Sequence, residues 1–377
     1  MQLSVIILNY NVRFFLELCV LSVQNAIQNI DAEIIVIDNK SQDDSCSMMK
    51  QRFPNVKLIE NKENSGFPKG NNVGVAVAKG EYICILNPDT VVAEDTFTKA
   101  LAFSKKQKNI GIVGVKLIDG TGNFLPESKR GIPTPFVAFT KITGLYKIFP
   151  KTFGKYYAQH LSENETGQVE ILVGAFMFMK RDLYNEIGGF DENCFMYSDD
   201  IDLSYMALKK GKSNYYFHET SVIHYKGEST IKDGAYMKRF QEAMNFFYIK
   251  HFQVSFLFSI FMKIGIVFFS LVKMFQGKPK PKLSPEKYIL VSENEVLRGK
   301  LENKWQTVVE RQDITKSFAK NAKTEIIFDQ NFIIFKSIIQ SFETNKNKGL
   351  TFKIIPESSD YVIGSNSSFD RGEVINI

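Results

Sequence analysis

The sequence predicts a doubly wound α/β domain, then a long apolar helix, then a second, smaller α/β unit. Three observations predict it. Short, nearly continuous apolar runs rich in β-branched residues alternate with amphipathic stretches, as expected for strands covered by helices on both faces. Polar residues recur at the ends of these runs, and an apolar stretch after residue 250 separates two such patterns.

The first runs are Leu3 to Tyr10, Glu33 to Asn39, Val56 to Asn61, Glu81 to Asp89 and Ile110 to Leu117. Amphipathic segments near 14–28, 42–52, 69–79 and 94–106 lie between them. Open sheets of this kind bind ligands beyond the carboxyl ends of their strands. Asn9, Asp38, Asn61 and Asp89 stand at those ends. Residues 121–170 read as loops and short helices over the site. Asp202 to Lys210 has helical spacing and stops at Gly211, which puts Asp199, Asp200 and Asp202 around a helix N-terminus that favours ionised carboxylates.

Residues 252–272 are long enough to span a bilayer. Their polar residues, Ser255, Ser259, Lys263, Ser270 and the adjoining Lys273, fall on one narrow helix face. Such a stripe suits a helix lying in the membrane interface. A span would bury Lys263 at a cost of about 2.5–3.5 kcal/mol, and an ordinary buried helix is the third alternative. Beyond a Lys/Pro linker, Lys287 to Glu293, Thr324 to Asn331, Leu350 to Pro356 and Asp360 to Ser367 read as strands, with a helix through Ser341. The turn Ser292 to Glu295 has no glycine, which argues against a dinucleotide-binding loop.

With 44% apolar residues the 377-residue chain can bury full cores, which excludes global disorder. The net charge is +6, and Lys278, Lys280 and Lys282 follow the apolar stretch, which suggests an anionic membrane surface. No basic stripe interleaved with aromatics and no nucleic-acid module is present, so nucleic acid is not an expected partner. The four scattered cysteines form no CxxC pair and indicate neither a zinc site nor a disulfide framework. The N-terminus reads as a first strand rather than a signal peptide, so the active domain is expected to face the cytoplasm.

Four motifs carry chemistry. In Leu86 to Thr90, Pro88 stiffens a turn at a strand end, and Asp89 can bind a divalent cation bridging a diphosphate. It can equally serve as a turn or cap residue. Asp38 and Asn39 can contact a nucleobase or ribose. In Asn64 to Gly74, Gly66 and Gly70 allow close backbone approach, and Asn71 and Asn72 are expected to open a helix facing phosphate or ribose. The paired Asp199 and Asp200 can supply a general base for an acceptor hydroxyl, or simply cap a surface helix. His224 is either a further metal ligand or a structural histidine.

Taken in order over about residues 1–230, SVIILNYN, IDNKSQDDS, NSGFPKGNNVG, LNPDT, GAFMFMKR, GGFDENCFMYSDDIDL and HYKGEST resemble the inverting family 2 glycosyltransferases of the GT-A fold. The rhamnosyltransferase-like branch is the nearest likeness. The resemblance implies a doubly wound mixed sheet and nucleotide-sugar contacts from Asn9, Tyr10, Asp38, Asn39, Gly66, Phe67, Gly70, Asn71, Asn87 and Asp89. It further implies a Mg2+ or Mn2+ ion at Asp89 with help from His224, and Asp200 as the base beside Asp199. The sequence departs from the family pattern twice: Asn87 replaces one carboxylate of the DxD-type site, and the acidic pair is Asp-Asp rather than Glu-Asp.

The expected division is a catalytic domain over 1–245, a membrane-associated helix over 246–276, a linker over 277–285 and a small Rossmann-like unit over 286–377. That unit resembles an extension on Bacteroidetes-type glycosyltransferases. The expected activity is transfer of a sugar from a nucleotide-diphosphate donor to a glycan or lipid-linked acceptor, with inversion, in cell-surface polysaccharide synthesis at the cytoplasmic face of the inner membrane. The alternative is a nucleotide-sugar-binding protein whose catalytic site has decayed. A nucleotidyltransferase would need a Gly-rich, basic loop after the first strand, where only Arg13 stands.

Overall fold

The structure is a computed structural model that describes residues 1–134, 136–137, 140, 154–226, 234–252, 285–320, 323–366 and 372–377. The predicted apolar helix over 252–272 and the linker lie almost wholly outside the described residues.

The first strands and helices alternate as expected: β1 (Leu3–Asn9), α1 (Arg13–Ala26), β2 (Ala32–Asp38), α2 (Ser45–Arg52), β3 (Lys57–Glu60), α3 (Gly66–Ala76) and β4 (Tyr82–Leu86). Next come β5 (Thr90–Val91), α4 (Thr96–Lys106), β6 (Ile110–Ile118), β7 (Gly167–Val169), β8 (Phe176–Lys180), α5 (Arg181–Glu186), α6 (Asp199–Lys209), β9 (Ser213–His224) and α7 (Gly234–His251). These strands form one mixed sheet in the order β3-β2-β1-β4-β8-β6-β9-β5, with β7 added to β9. β1 to β4 pair in parallel, and β8 runs antiparallel between β4 and β6. Every residue of β1 and β4 is buried, which is why those runs show no alternation.

α3 begins at Gly66, so Asn71 and Asn72 lie within the helix and do not open it as expected. The physical reason is local. Gly66 sits at φ +80°, a left-handed entry that turns the chain into the helix five residues early.

The second sheet contains β10 (Lys287–Val291), β11 (Val309–Arg311), β12 (Thr324–Asp329), β13 (Thr351–Ile355), β14 (Tyr361–Gly364) and β15 (Glu373–Asn376). Its order is β11-β10-β12-β13-β14-β15, parallel from β11 to β13. α8 (Glu295–Trp305) follows β10 and is capped by the Asn294 side chain, while α9 (Phe335–Asn345) follows β12. Of these elements α8, β11 and β15 were not anticipated.

This unit docks tightly on the first sheet's domain. The Glu94 carboxylate accepts hydrogen bonds from the Phe335 and Lys336 amides at the start of α9, at 2.7 and 2.8 Å. It supplies from another domain what a cap residue supplies locally. Lys336 pairs with Asp95, Lys116 with Glu343 and Lys346 with Glu163. Phe14 meets Tyr361 edge-on at 4.8 Å, and one apolar cluster runs through both sheets. A polar cleft of about 410 Å³ lies on this seam, and none of the candidate site residues lines it.

Candidate active site

At the carboxyl end of β1 and β2 the buried Asn9 amide donates to Asp38 Oδ2 at 2.7 Å and to Ser41 Oγ at 3.0 Å. The Ser41 amide donates to Asp38 Oδ1 at 2.8 Å. Asn39 donates to Asn64 Oδ1 and to the Gly66 carbonyl, and accepts from Asn61 and Ser65. Four strand and loop ends are therefore tied into one polar floor, with Tyr10 half-buried beside it. The buried Asn9 Oδ1 has no hydrogen-bond partner.

The glycines and asparagines of α3 act differently from the expectation. A Cβ on Gly70 would lie 2.4 Å from Leu8 Cδ1 and 3.3 Å from Asn39 Nδ2. Its bare backbone lets the helix pack on the strand, and the space is not open to a ligand. Asn71 is fully buried and donates to the Phe67 carbonyl. Asn72 holds the Phe190 carbonyl, Glu192 and the Tyr184 hydroxyl. Above Gly66 stands the half-exposed Phe195, whose carbonyl accepts from the Phe67 amide.

The second group sits where β5 pairs with β9, Thr90 opposite His224. This pairing brings Asp89 Oδ1 to 3.3 Å from His224 Nε2, although 134 residues separate them. Both side chains are buried. Asn87 Nδ2 lies 3.5 Å from the same ring nitrogen. Asp89 Oδ1, Asn87 Oδ1 and His224 Nδ1 are buried without a hydrogen-bond partner. Orphaned acceptors in this number are unusual in a folded protein and call for an explanation.

The third group is the acidic pair at the N-terminus of α6. Arg130 Nη2 donates to Asp200 Oδ2 at 2.5 Å and to the Leu172 carbonyl at 3.0 Å. The Gly174 amide donates to the same Asp200 oxygen at 3.0 Å. Burial and the neighbouring Asp200 charge push the Asp199 carboxyl up to about 7, against the lowering effect of backbone amides and Arg130. Asp202, the third acid of the motif, faces elsewhere. It binds His251 at 2.5 Å and Lys250 at 2.8 Å and so fastens α7 to α6.

Glu127 and Lys226 form an ion pair; His224 acts electrostatically on Glu127, and Glu127 acts on Arg130. Lys226 works against burial to keep Glu127 below the usual glutamate range. Arg130 and Glu127 escaped the sequence reading, and Lys226 went unremarked within HYKGEST. Arg130 and Glu127 lie in an irregular segment with no periodicity and no motif, and only the fold brings them to the acids.

The family model for Glycosyl transferase family 2 matches residues 4–188. Almost half of the chain is thus similar to the family 2 glycosyltransferases. The matched region has a mixed sheet with polar residues gathered at the carboxyl ends of its parallel strands. Over 216 residues the chain is 26% identical to an N-acetylglucosaminyl-diphospho-decaprenol L-rhamnosyltransferase of Mycobacterium tuberculosis, covering 54% of this chain and 69% of that protein. It is 31% identical over 171 residues to a poly(ribitol-phosphate) beta-glucosyltransferase of Bacillus spizizenii, covering 44% of this chain and 26% of the relative. Among solved structures, S. aureus TarS 1–349 superposes with a TM-score of 0.45 at 17% identity, covering 68% of this chain and 67% of that one.

Proposed function

We propose that this protein transfers a sugar, with inversion, from a nucleotide-diphosphate donor to a hydroxyl of a glycan or lipid-linked acceptor in cell-surface polysaccharide synthesis. The observation that carries the reading is the placement of three groups along one sheet edge. The polar floor of Asn9, Asp38 and Asn39 suits the nucleoside. Asp89 and His224 suit the diphosphate, and the Asp199–Asp200 pair suits the acceptor. The names of the relatives support the acceptor class: one acts on a diphospho-decaprenol carrier and another on a poly(ribitol phosphate).

The residues fit a divalent cation. Asp89 Oδ1 and Asn87 Oδ1 are buried acceptors without a hydrogen-bond partner, a donor set of hard oxygens that suits Mg2+ or Mn2+. Among the described residues no group of three acidic, His or Cys side chains is arranged to hold a metal ion by itself, so substrate phosphates would complete the coordination. When bound, the ion neutralises charge on the departing diphosphate. Asp200 takes the proton of the attacking hydroxyl as its oxygen bonds to the anomeric carbon and the bond to the diphosphate breaks. Holding the two substrates in line supplies much of the rate.

The protein works at the cytoplasmic face of a membrane in this reading. The support is the sequence of 252–273 with its single polar stripe and following lysines, since no helix among the described residues is long and apolar enough to cross a bilayer. Nothing in the site favours the decayed alternative, because Asp89, His224 and both acids are present and gathered.

The test is a screen of UDP-, GDP- and dTDP-linked sugars for hydrolysis and transfer with Mn2+, Mg2+ or chelator. Turnover of at least one donor with an inverted product is expected. Binding of donors without hydrolysis or transfer to any lipid-linked or glycan acceptor would overturn the proposal in favour of a binding protein.

A further inference from the structure

We propose that Arg130 is a positioning residue that selects Asp200 over Asp199 as the proton acceptor for the incoming hydroxyl. This rests on the glycosyltransferase reading and adds to it the residue that assigns roles within the acidic pair. Two aspartates adjacent in sequence, at one helix terminus and equally buried, have no built-in difference. The fold creates one.

Arg130 is itself held on both sides. Its backbone exchanges two hydrogen bonds of 2.9 Å with Ile171, and its Nη2 is shared between the Leu172 carbonyl and Asp200 Oδ2. The guanidinium is 11% exposed. Gly174, three residues from Ile171, donates its amide to the same Oδ2. Both donors therefore converge on one oxygen of Asp200 and fix the carboxylate plane, while Oδ1 carries neither bond and is left to the site. A charge-assisted hydrogen bond of this length holds an anion in place. Among the described residues Asp199 has no such cation in contact. It accepts from its own amide and that of Tyr197, and burial beside Asp200 pushes it up to about 7. Crowding beside Asp200 thus disfavours the ionised form of Asp199, and the Arg130 guanidinium is in direct contact with Asp200 alone of the two.

The groups facing the pair are consistent with this. Cys194 lies near Asp199. Burial works against the Arg130 charge, and Asp200, Tyr156 and Glu127 together more than offset it. Glu127 is itself neutralised by Lys226, so Asp200 is the acid with which Arg130 makes direct contact.

The experiment compares wild type, Arg130→Gln and Arg130→Lys. Single-turnover transfer is measured across pH alongside donor titrations. Arg130→Gln is expected to lose about 100-fold in transfer, the scale of a misplaced reacting group, with donor affinity unchanged and the acidic limb of its pH profile moved to higher pH. Arg130→Lys restores the charge and should return the limb toward its wild-type position, and it covers the case in which the Gln variant fails to fold. Equal losses in donor affinity and rate, or a wild-type pH profile in a slow Gln variant, would overturn the proposal. An independent readout needs no turnover. The Asp199 carboxyl carbon, assigned by its loss in Asp199→Asn, is followed by NMR titration. Its midpoint should rise in Arg130→Gln, because the guanidinium charge lowers it. An unmoved midpoint refutes the electrostatic coupling even if no donor is ever found, whereas an inactive wild type with a moved midpoint refutes only the transferase reading.

Discussion

Replacing Asp199 by Asn turns the electrostatics of the acidic pair into a stability measurement. Below about pH 3.8 the side chain is protonated in the folded and the unfolded chain alike. Between 3.8 and about 7 the unfolded chain has released the proton and the folded chain still holds it. The folded state then binds more protons, so stability falls with rising pH and levels off once the folded group ionises. At about 1.36 kcal/mol for each pH unit, the whole interval corresponds to about 4 kcal/mol, and the part above pH 5 to about 3 kcal/mol. Asn keeps the size and accepts the same amide hydrogen bonds but cannot titrate. Going from about pH 5 to about pH 8.5, Asp199→Asn should therefore gain about 3 kcal/mol relative to wild type. For a domain of this size that is on the order of 10 °C in midpoint. Thermal unfolding by circular dichroism at both pH values, for both proteins, gives a difference of differences in which any fixed cost of the substitution cancels. Parallel pH dependences would show that Asp199 ionises normally in the folded protein despite its crowding beside Asp200.

Three further outcomes are expected. Asp89→Asn should weaken nucleotide-diphosphate binding at least about tenfold, or about 1.4 kcal/mol, in Mn2+ but not in chelator, measured by calorimetry; equal affinities in Mn2+ would exclude a cation at this carboxylate. Glu94→Ala strips two amides at the start of α9 of their acceptor and should lower the stability of the C-terminal unit by about 1 kcal/mol. Trp305, the single tryptophan, stacks on Tyr288 in that unit and reports its urea midpoint, which an irrelevant contact would leave unmoved. Gly66→Ala places a Cβ 2.8 Å from the Phe195 ring at φ +80°. It should cost about 1–2 kcal/mol and weaken donor binding, whereas a wild-type melting curve would mean the turn relaxes freely.

The sequence alone determined the βαβα core and the acids. Buried parallel strands need continuous apolar runs, and Asn9, Asp38 and Asp89 are legible because a polar residue ending such a run has few other reasons to be there. Asp199 and Asp200 are legible for a related reason, as acids gathered at the start of a helical pattern. β8 and β9 were not read as strands, although Phe176–Lys180 is apolar enough, because a strand inserted antiparallel between β4 and β6 is defined by partners 65 to 98 residues away. Gly70 and Asn71 looked like ligand contacts, and the helix packing that uses them was invisible until Leu8 and Phe67 stood beside them. The pairing of Asp89 with His224, the capture of Glu94 by α9 and the hold of Arg130 on Asp200 were decided by tertiary structure only. Each joins residues 70 to 242 positions apart, and local propensity and periodicity carry no information about which distant loop arrives at a strand end.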